Sequence, residues 1–260
     1  VRQRIICRFA VGAALAASAV PAAAERLVAS ISTHRVMVTS NFTGDELVLF
    51  GGIERDAQTV PRRGGYDIVA TVTGPRQDLV TFRKQRVLGI WVNVDSRVFE
   101  AAPSYLAVLS NRPLDAIANG EALRRLQLGL DNVVLLQRAS VNIADSARDD
   151  PFRQSFLRIK REHALYRQEE NGVTFLTPAL FRASIPLPAE VPVGNYEVDV
   201  RLFADGNLIA RTPSAFEVYK AGFEQVVTTA ARDHGLLYGL CTAGMALLTG
   251  WFASVVFRRD

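Results

Sequence analysis

Cysteine, histidine and lysine are almost missing from this chain. Of its 260 residues two are cysteine, three are histidine, and only three of the 30 basic residues are lysine. Cys7 and Cys241 stand in the apolar ends, so the stretch between them has no thiol. That excludes a disulfide framework and a thiolate metal site there, and leaves stability to packing. His34, His163 and His234 are far apart, with none of the short spacings that put two metal ligands on one helix face. The chain also lacks a G-x-S-x-G elbow, a Walker loop and a G-x-G-x-x-G turn. No catalytic set, metal or cofactor is therefore expected. The reading is a chain that is not an enzyme; an enzyme centred on the helical middle is the alternative.

A net positive charge is present but misplaced for nucleic acid. The formal charge is +4 at pH 7. Arg2, Arg4 and Arg8 fall in the first 24 residues, and Arg258, Arg259 and Asp260 close the chain; without those six, 25 residues of each sign remain. The middle then has no net attraction for phosphate, and no nucleic-acid partner is expected.

The two ends read as addresses. Residues 1–24 have the form of a signal peptide, with a basic start, an apolar run from Phe9 to Val20, and Ala22-Ala23-Ala24 as the small-residue cleavage pattern. From Gly235 to Phe257 no side chain is charged. At 1.5 Å per residue such a helix is about 34 Å long, against about 30 Å of hydrocarbon. The spacing predicts a transmembrane helix over 235–257, preceded by a juxtamembrane helix over 221–234. Tyr238 and Trp251 are its expected interfacial anchors. Arg258 and Arg259, in the tail 258–260, mark the cytoplasmic side. The bulk of the chain is then periplasmic and the protein a single-pass inner-membrane one.

Between the ends, 25–220 reads as mainly β with a helical insertion. Ile68, Ala70 and Val72 recur at period two, as do Leu88, Ile90, Val92 and Val94, and later Tyr196, Val198, Val200 and Leu202. Leu47–Phe50 is a short apolar run ending at Gly51-Gly52, and Asp205-Gly206 is a hairpin signal. The period changes near 111–170. Leu123, Leu126, Leu130 and Val133 predict a helix in Glu121–Leu136. Phe152, Phe156, Ile159, His163 and Tyr166 predict another in Asp150–Glu169, capped by Asp150-Pro151 and ended by Asn171-Gly172. The fold expected is an immunoglobulin-like antiparallel β-sandwich with that insertion, followed by one transmembrane helix; two separate domains are the alternative.

Few residues stand out as sites. His163 falls on an apolar stripe, either as a proton-handling or ligand residue or as a hydrogen-bonded histidine in the helix seam. Trp91 and Asn93 share the strand face opposite Ile90 and Val92, either exposed to a partner or sugar or covered by the helical insertion. Gly65 follows Arg62-Arg63-Gly64 as an anion-attracting or merely solvated loop. In the apolar run, Gly235, Gly239, Ala243, Ala246, Gly250 and Ser254 recur at steps of 4, 4, 3, 4 and 4. Small residues on one face let helix backbones approach, and equally they are ordinary content of such runs.

Several stretches carry a resemblance: NFTGDELVLFGGIERD, VTGPRQD, FRKQRVLGIWVN, LPAEVPVGNYEVDVRLFADG, VYKAGFEQ and YGL with GWFASVVFRR. Together, and in this order over nearly all of 25–260, the chain resembles the Alph_Pro_TM family of alphaproteobacterial transmembrane proteins. The resemblance implies a signal-bearing, single-span protein and brings no catalytic residues with it. The function expected is an accessory or interaction module at the inner membrane. Its partner would be a membrane protein, a permease among the candidates, or a second copy of the chain.

Overall fold

The computed structural model describes residues 25–55, 65–139, 142–220, 222 and 231–256. The signal-like segment 1–24, the Arg62-Arg63-Gly64 loop, most of 221–234 and Phe257–Asp260, with Arg258 and Arg259, lie outside the described residues.

Two sheets face each other across the main core. The first has four strands in the order β1 (Arg26–Ile31), β3 (Gly44–Glu54), β12 (Leu180–Pro188) and β11 (Val173–Thr177). The second has six: β10 (Tyr166–Glu169), β7 (Leu106–Ser110), β4 (Asp67–Thr73), β13 (Gly194–Ala204), β14 (Asn207–Lys220) and β2 (Arg35–Val38). Alternate residues meet between them: Leu47, Leu49, Phe181 and Ile185 from one, Ile68, Val72, Val198 and Val200 from the other. The period-two pattern is the cause, since it turns every second side chain inward. Each fully buried aliphatic side chain contributes roughly 1.5–3 kcal/mol.

Local chemistry fixes the corners. The β13–β14 hairpin turns at Asp205 (φ 51°) and Gly206 (φ 80°), the left-handed pair that the two-residue turn requires. Tyr196, at the start of β13, donates its hydroxyl to the Pro192 carbonyl at 2.6 Å, a device that recurs at sandwich corners. Its ring stacks on Phe216 at 4.8 Å.

Helices cover the outer face of the six-stranded sheet. Leu114 and Ile117 of α1 (Leu114–Ile117) and Leu123 of α2 (Gly120–Arg125) pack on Val69, Val108 and Phe203. That is why β4 is buried on both faces. A third sheet, β5 (Arg76–Val87), β6 (Ile90–Pro103), β8 (Leu136–Ala139) and β9 (Asn142–Asp145), encloses a second core with α3 (Pro151–Glu162). There Phe99 lies against Phe156 at 4.8 Å.

Four expectations are corrected. The sheets are not purely antiparallel: β10 runs parallel to β7, and β2 parallel to β14. A parallel pair needs a long crossover, and the 111–165 segment supplies it for β7 and β10. The helix read over Glu121–Leu136 ends at Arg125, because Gln127 turns left-handed at φ 53°; a 3₁₀ turn, Leu130–Asn132, and β8 follow. The helix read to Glu169 stops at Glu162, because Ala164 takes φ 54°. Gly51-Gly52 does not end a strand; β3 runs through it to Glu54.

A fifth correction concerns the end of the chain. A helix, α4 (Gly235–Val256), is present, and none of its side chains is charged. Yet among the described residues no helix is long and apolar enough to cross a membrane, so the expected transmembrane helix is not found. Gly239, Gly244 and Gly250 dilute its apolar content, as do Thr242 and Thr249, whose hydroxyls donate back to the Tyr238 and Met245 carbonyls. Tyr238 and Trp251 both lie exposed on this helix. The chain is mainly β, built from several sheets.

Candidate interaction surface

Two long paired strands leave the body as an arm. β5 and β6 pair antiparallel from Arg76–Pro103 out to Val87–Ile90. The base of the arm is held: Phe99 is buried in the second core, and the Arg97 guanidinium lies over the Phe152 ring at 4.9 Å. β8 pairs only with Val98–Glu100 of β6. Beyond that point the seven residues of β5 from Thr81 to Val87 extend about 23 Å at 3.3 Å per residue.

Register decides which side chains share a face. Val87 opposes Ile90 and Gln85 opposes Val92 on one face; Arg86 opposes Trp91 and Lys84 opposes Asn93 on the other. A bulge between Arg83 and Lys84 adds Val94 to the longer strand. The turn is Leu88-Gly89, at φ 49° and 86°. Leu88 is fully exposed, Trp91 is 71% exposed, Ile90 67% and Phe82 55%. Val87, Val92 and Val94 are exposed as well. Isolated exposed apolar side chains are ordinary, but six gathered between Val87 and Val94 at the end of one projecting hairpin, with Phe82 nearer the base beside α3, form a patch of the kind that marks an interaction site.

Charge at the tip has one sign in excess. Asp95 is held by Arg97 at 2.7 Å and Arg83 at 3.8 Å. Arg86 donates its Nε to the Gly89 carbonyl at 3.3 Å, bracing the turn. Among the described residues neither Lys84 nor Arg86 has a salt bridge.

The other residues that the sequence singles out are scattered. Asn93 is exposed beside Trp91 on the arm, uncovered by the helical segment. His163 is neither in the seam nor in a cleft. It caps α3 with a half-exposed side chain, its Nδ1 3.0 Å from Glu190 Oε2. Exposed pairs of this kind contribute little, so His163→Ala is expected to move stability by less than about 1 kcal/mol, as read from the urea midpoint. Gly235, Gly239, Ala243, Ala246, Gly250 and Ser254 lie exposed along α4, and no described atom comes within 4 Å of a Cβ built on the three glycines. α4 also exposes Leu236, Leu240, Leu247, Leu248, Trp251 and Phe252.

A groove of about 540 Å³ runs along α3, lined by Asp131, Arg148, Arg153, Arg158, Arg161 and Glu162 among others. Its carboxylates are taken: Arg161 holds Asp131 at 3.5 Å and Arg158 holds Glu162 at 2.9 Å. Arg153 is buried, and burial lowers its pKa, with Asp145 opposing the shift. Lys160 is lowered too, by burial; it donates to the Ser104 carbonyl at 3.2 Å beside the rings of Phe156 and Tyr166. These partners make the groove a set of structural clamps.

The arm is only half legible in the sequence. Trp91 and Asn93 are readable as a surface. Val87, Leu88 and Phe82 are not, because alternation looks the same whether or not a sheet is covered. The clue available is Leu88-Gly89, a turn dipeptide inside the apolar run. A search among curated proteins finds no match for the chain. A family model does match, over residues 26–259, which is nearly all of it: the chain belongs to the family described as "Putative transmembrane protein (Alph_Pro_TM)".

Proposed function

We propose that the chain is a non-enzymatic interaction module attached to the inner membrane of a bacterial cell, with its β-sheet body on the periplasmic side. The observation that carries the reading is the arm, which exposes seven large apolar side chains, six of them between Val87 and Val94 near its tip. Two others support it. The exposed apolar side chains along α4 call for a non-aqueous surrounding, and residues 1–24 have the composition of an export signal. A membrane protein, a permease among them, or a second copy of the chain are the partners to be tested.

A photo-crosslinking residue at position 91, in native membranes, tests this. The chain is expected in the membrane fraction, with adducts from position 91 and none from position 182, an exposed site on β12 of the body. Recovery in the soluble fraction, or the same adducts from both positions, would overturn the proposal.

A further inference from the structure

We infer that the tip of the β5–β6 arm inserts into an anionic lipid surface. This rests on the reading of the arm as the contact surface and names what it contacts.

Shape comes first. A strand pair that docks on a protein presents one face to it. Here Val87, Ile90 and Val92 lie on one face, Trp91 beside Arg86 on the other, and Leu88 at the apex, so apolar side chains stand on both faces of the tip. A convex finger with apolar side chains on both faces suits a medium that closes around it, as acyl chains and head groups do.

Depth comes next. A two-stranded hairpin has unpaired backbone groups along both outer edges, and the hydrocarbon centre tolerates none of these. Insertion is therefore limited to the interfacial region, about 5–10 Å, the depth at which amphipathic surface segments settle. At about 3.3 Å per residue Arg86 lies about 7 Å behind Leu88 and Lys84 about 13 Å behind it. With Leu88 among the upper acyl carbons, both cations stand at head-group level. Trp91, opposite Arg86, sits where indole rings prefer to be.

Charge then selects the lipid. Asp95 is held by Arg97 and Arg83, a cluster that keeps one positive charge of its own, and nearer the apex Lys84 and Arg86 add two more. Each cation near an anionic leaflet strengthens binding about fivefold, so the pair supplies about 25-fold. The turn points the same way. In this turn type the first position favours asparagine or glycine, and a leucine there is strained. Leu88 is fully exposed at φ 49°, so its side chain adds nothing to the fold.

The full chain carrying Trp251→Phe leaves Trp91 as its one tryptophan. It would be reconstituted into phosphatidylcholine vesicles with and without about one third phosphatidylglycerol, with brominated acyl chains as quencher. In the anionic vesicles Trp91 emission is expected to shift blue and to be quenched. Lys84→Gln with Arg86→Gln should weaken the insertion equilibrium about 25-fold. Leu88→Asn should abolish quenching while leaving the urea midpoint unchanged or raised. Water-like, unquenched Trp91 emission in every vesicle overturns the inference, and equal quenching with and without phosphatidylglycerol overturns its anionic part. Unquenched Trp91 together with protein adducts from position 91 in native membranes also overturns it, while leaving the arm as the contact surface.

Discussion

Gly51→Ala is expected to destabilise the sandwich by at least about 3 kcal/mol, whereas Gly52→Ala, one residue on, should cost less than about 1 kcal/mol. Gly51 lies in the middle strand between Ala29 of β1 and Phe181 of β12. A Cβ there would sit 2.2 Å from the Phe181 Cζ and 2.8 Å from the Val28 carbonyl oxygen. Phe181 is fully buried and meets Phe175 edge-on at 6.2 Å. Its ring has nowhere to go without opening a void, and the carbonyl is fixed in the β1–β3 ladder. At Gly52 the nearest atom to an added methyl is the Ala179 carbonyl oxygen at 3.8 Å, ordinary contact. Urea denaturation of the two variants, compared at equal slope, checks this. Equal midpoints would show that Phe181 repacks freely.

That glycine shows what sequence reading reaches and what it misses. Gly51-Gly52 after an apolar run reads as a stop, because glycine is the usual turn residue. Here it is the space that a ring from β12, 130 positions later, comes to occupy, and no local pattern carries that information. The helical middle fails for a related reason. Tyr166 keeps step with Phe152, Phe156 and Ile159, and it does pack edge-on against Phe156 at 5.8 Å. It reaches that core from strand β10, not from the helix. Likewise Leu123 serves the outer cover of the sheet, while Leu130 and Val133 serve the second core. Shared burial at helical spacing imitates a shared helix.

What local chemistry controls is legible. Asp150 accepts from the Phe152 and Arg153 amides at 2.7 and 3.2 Å, and Pro151 opens α3, as the cap signal predicts. Asp205-Gly206 makes its hairpin. For the candidate site, alternation identifies a strand at Ile90–Val94 and gives the side to which Trp91 points. It does not say that the strand outruns its neighbours, since exposure depends on where β8 stops.

Arg153→Met is the second large effect expected, a loss of about 3–5 kcal/mol. A cation in the first turn of a helix opposes the macrodipole, so this arginine is not there to help α3 form. Its Nη2 donates to the Val133 carbonyl at 2.7 Å and the Asp131 carbonyl at 3.2 Å. Its Nη1 donates to Ser146 Oγ at 3.2 Å, the Ser146 carbonyl at 3.3 Å and Asp145 Oδ1 at 3.4 Å. One buried side chain thus ties the 3₁₀ segment and the end of β9 to the helix. Methionine fills much of the volume but leaves those carbonyls without donors in a place water does not reach. Arg153→Lys should recover less than half, because one ammonium cannot serve both carbonyl groups that the planar fork spans. Hydrogen exchange separates this from a general weakening: amides of 130–150 should lose protection in Arg153→Met before those of β4 and β13 do. Uniform loss across the chain would mean that the second core and the sandwich unfold as one unit. The base of the arm would then be only as firm as this single arginine.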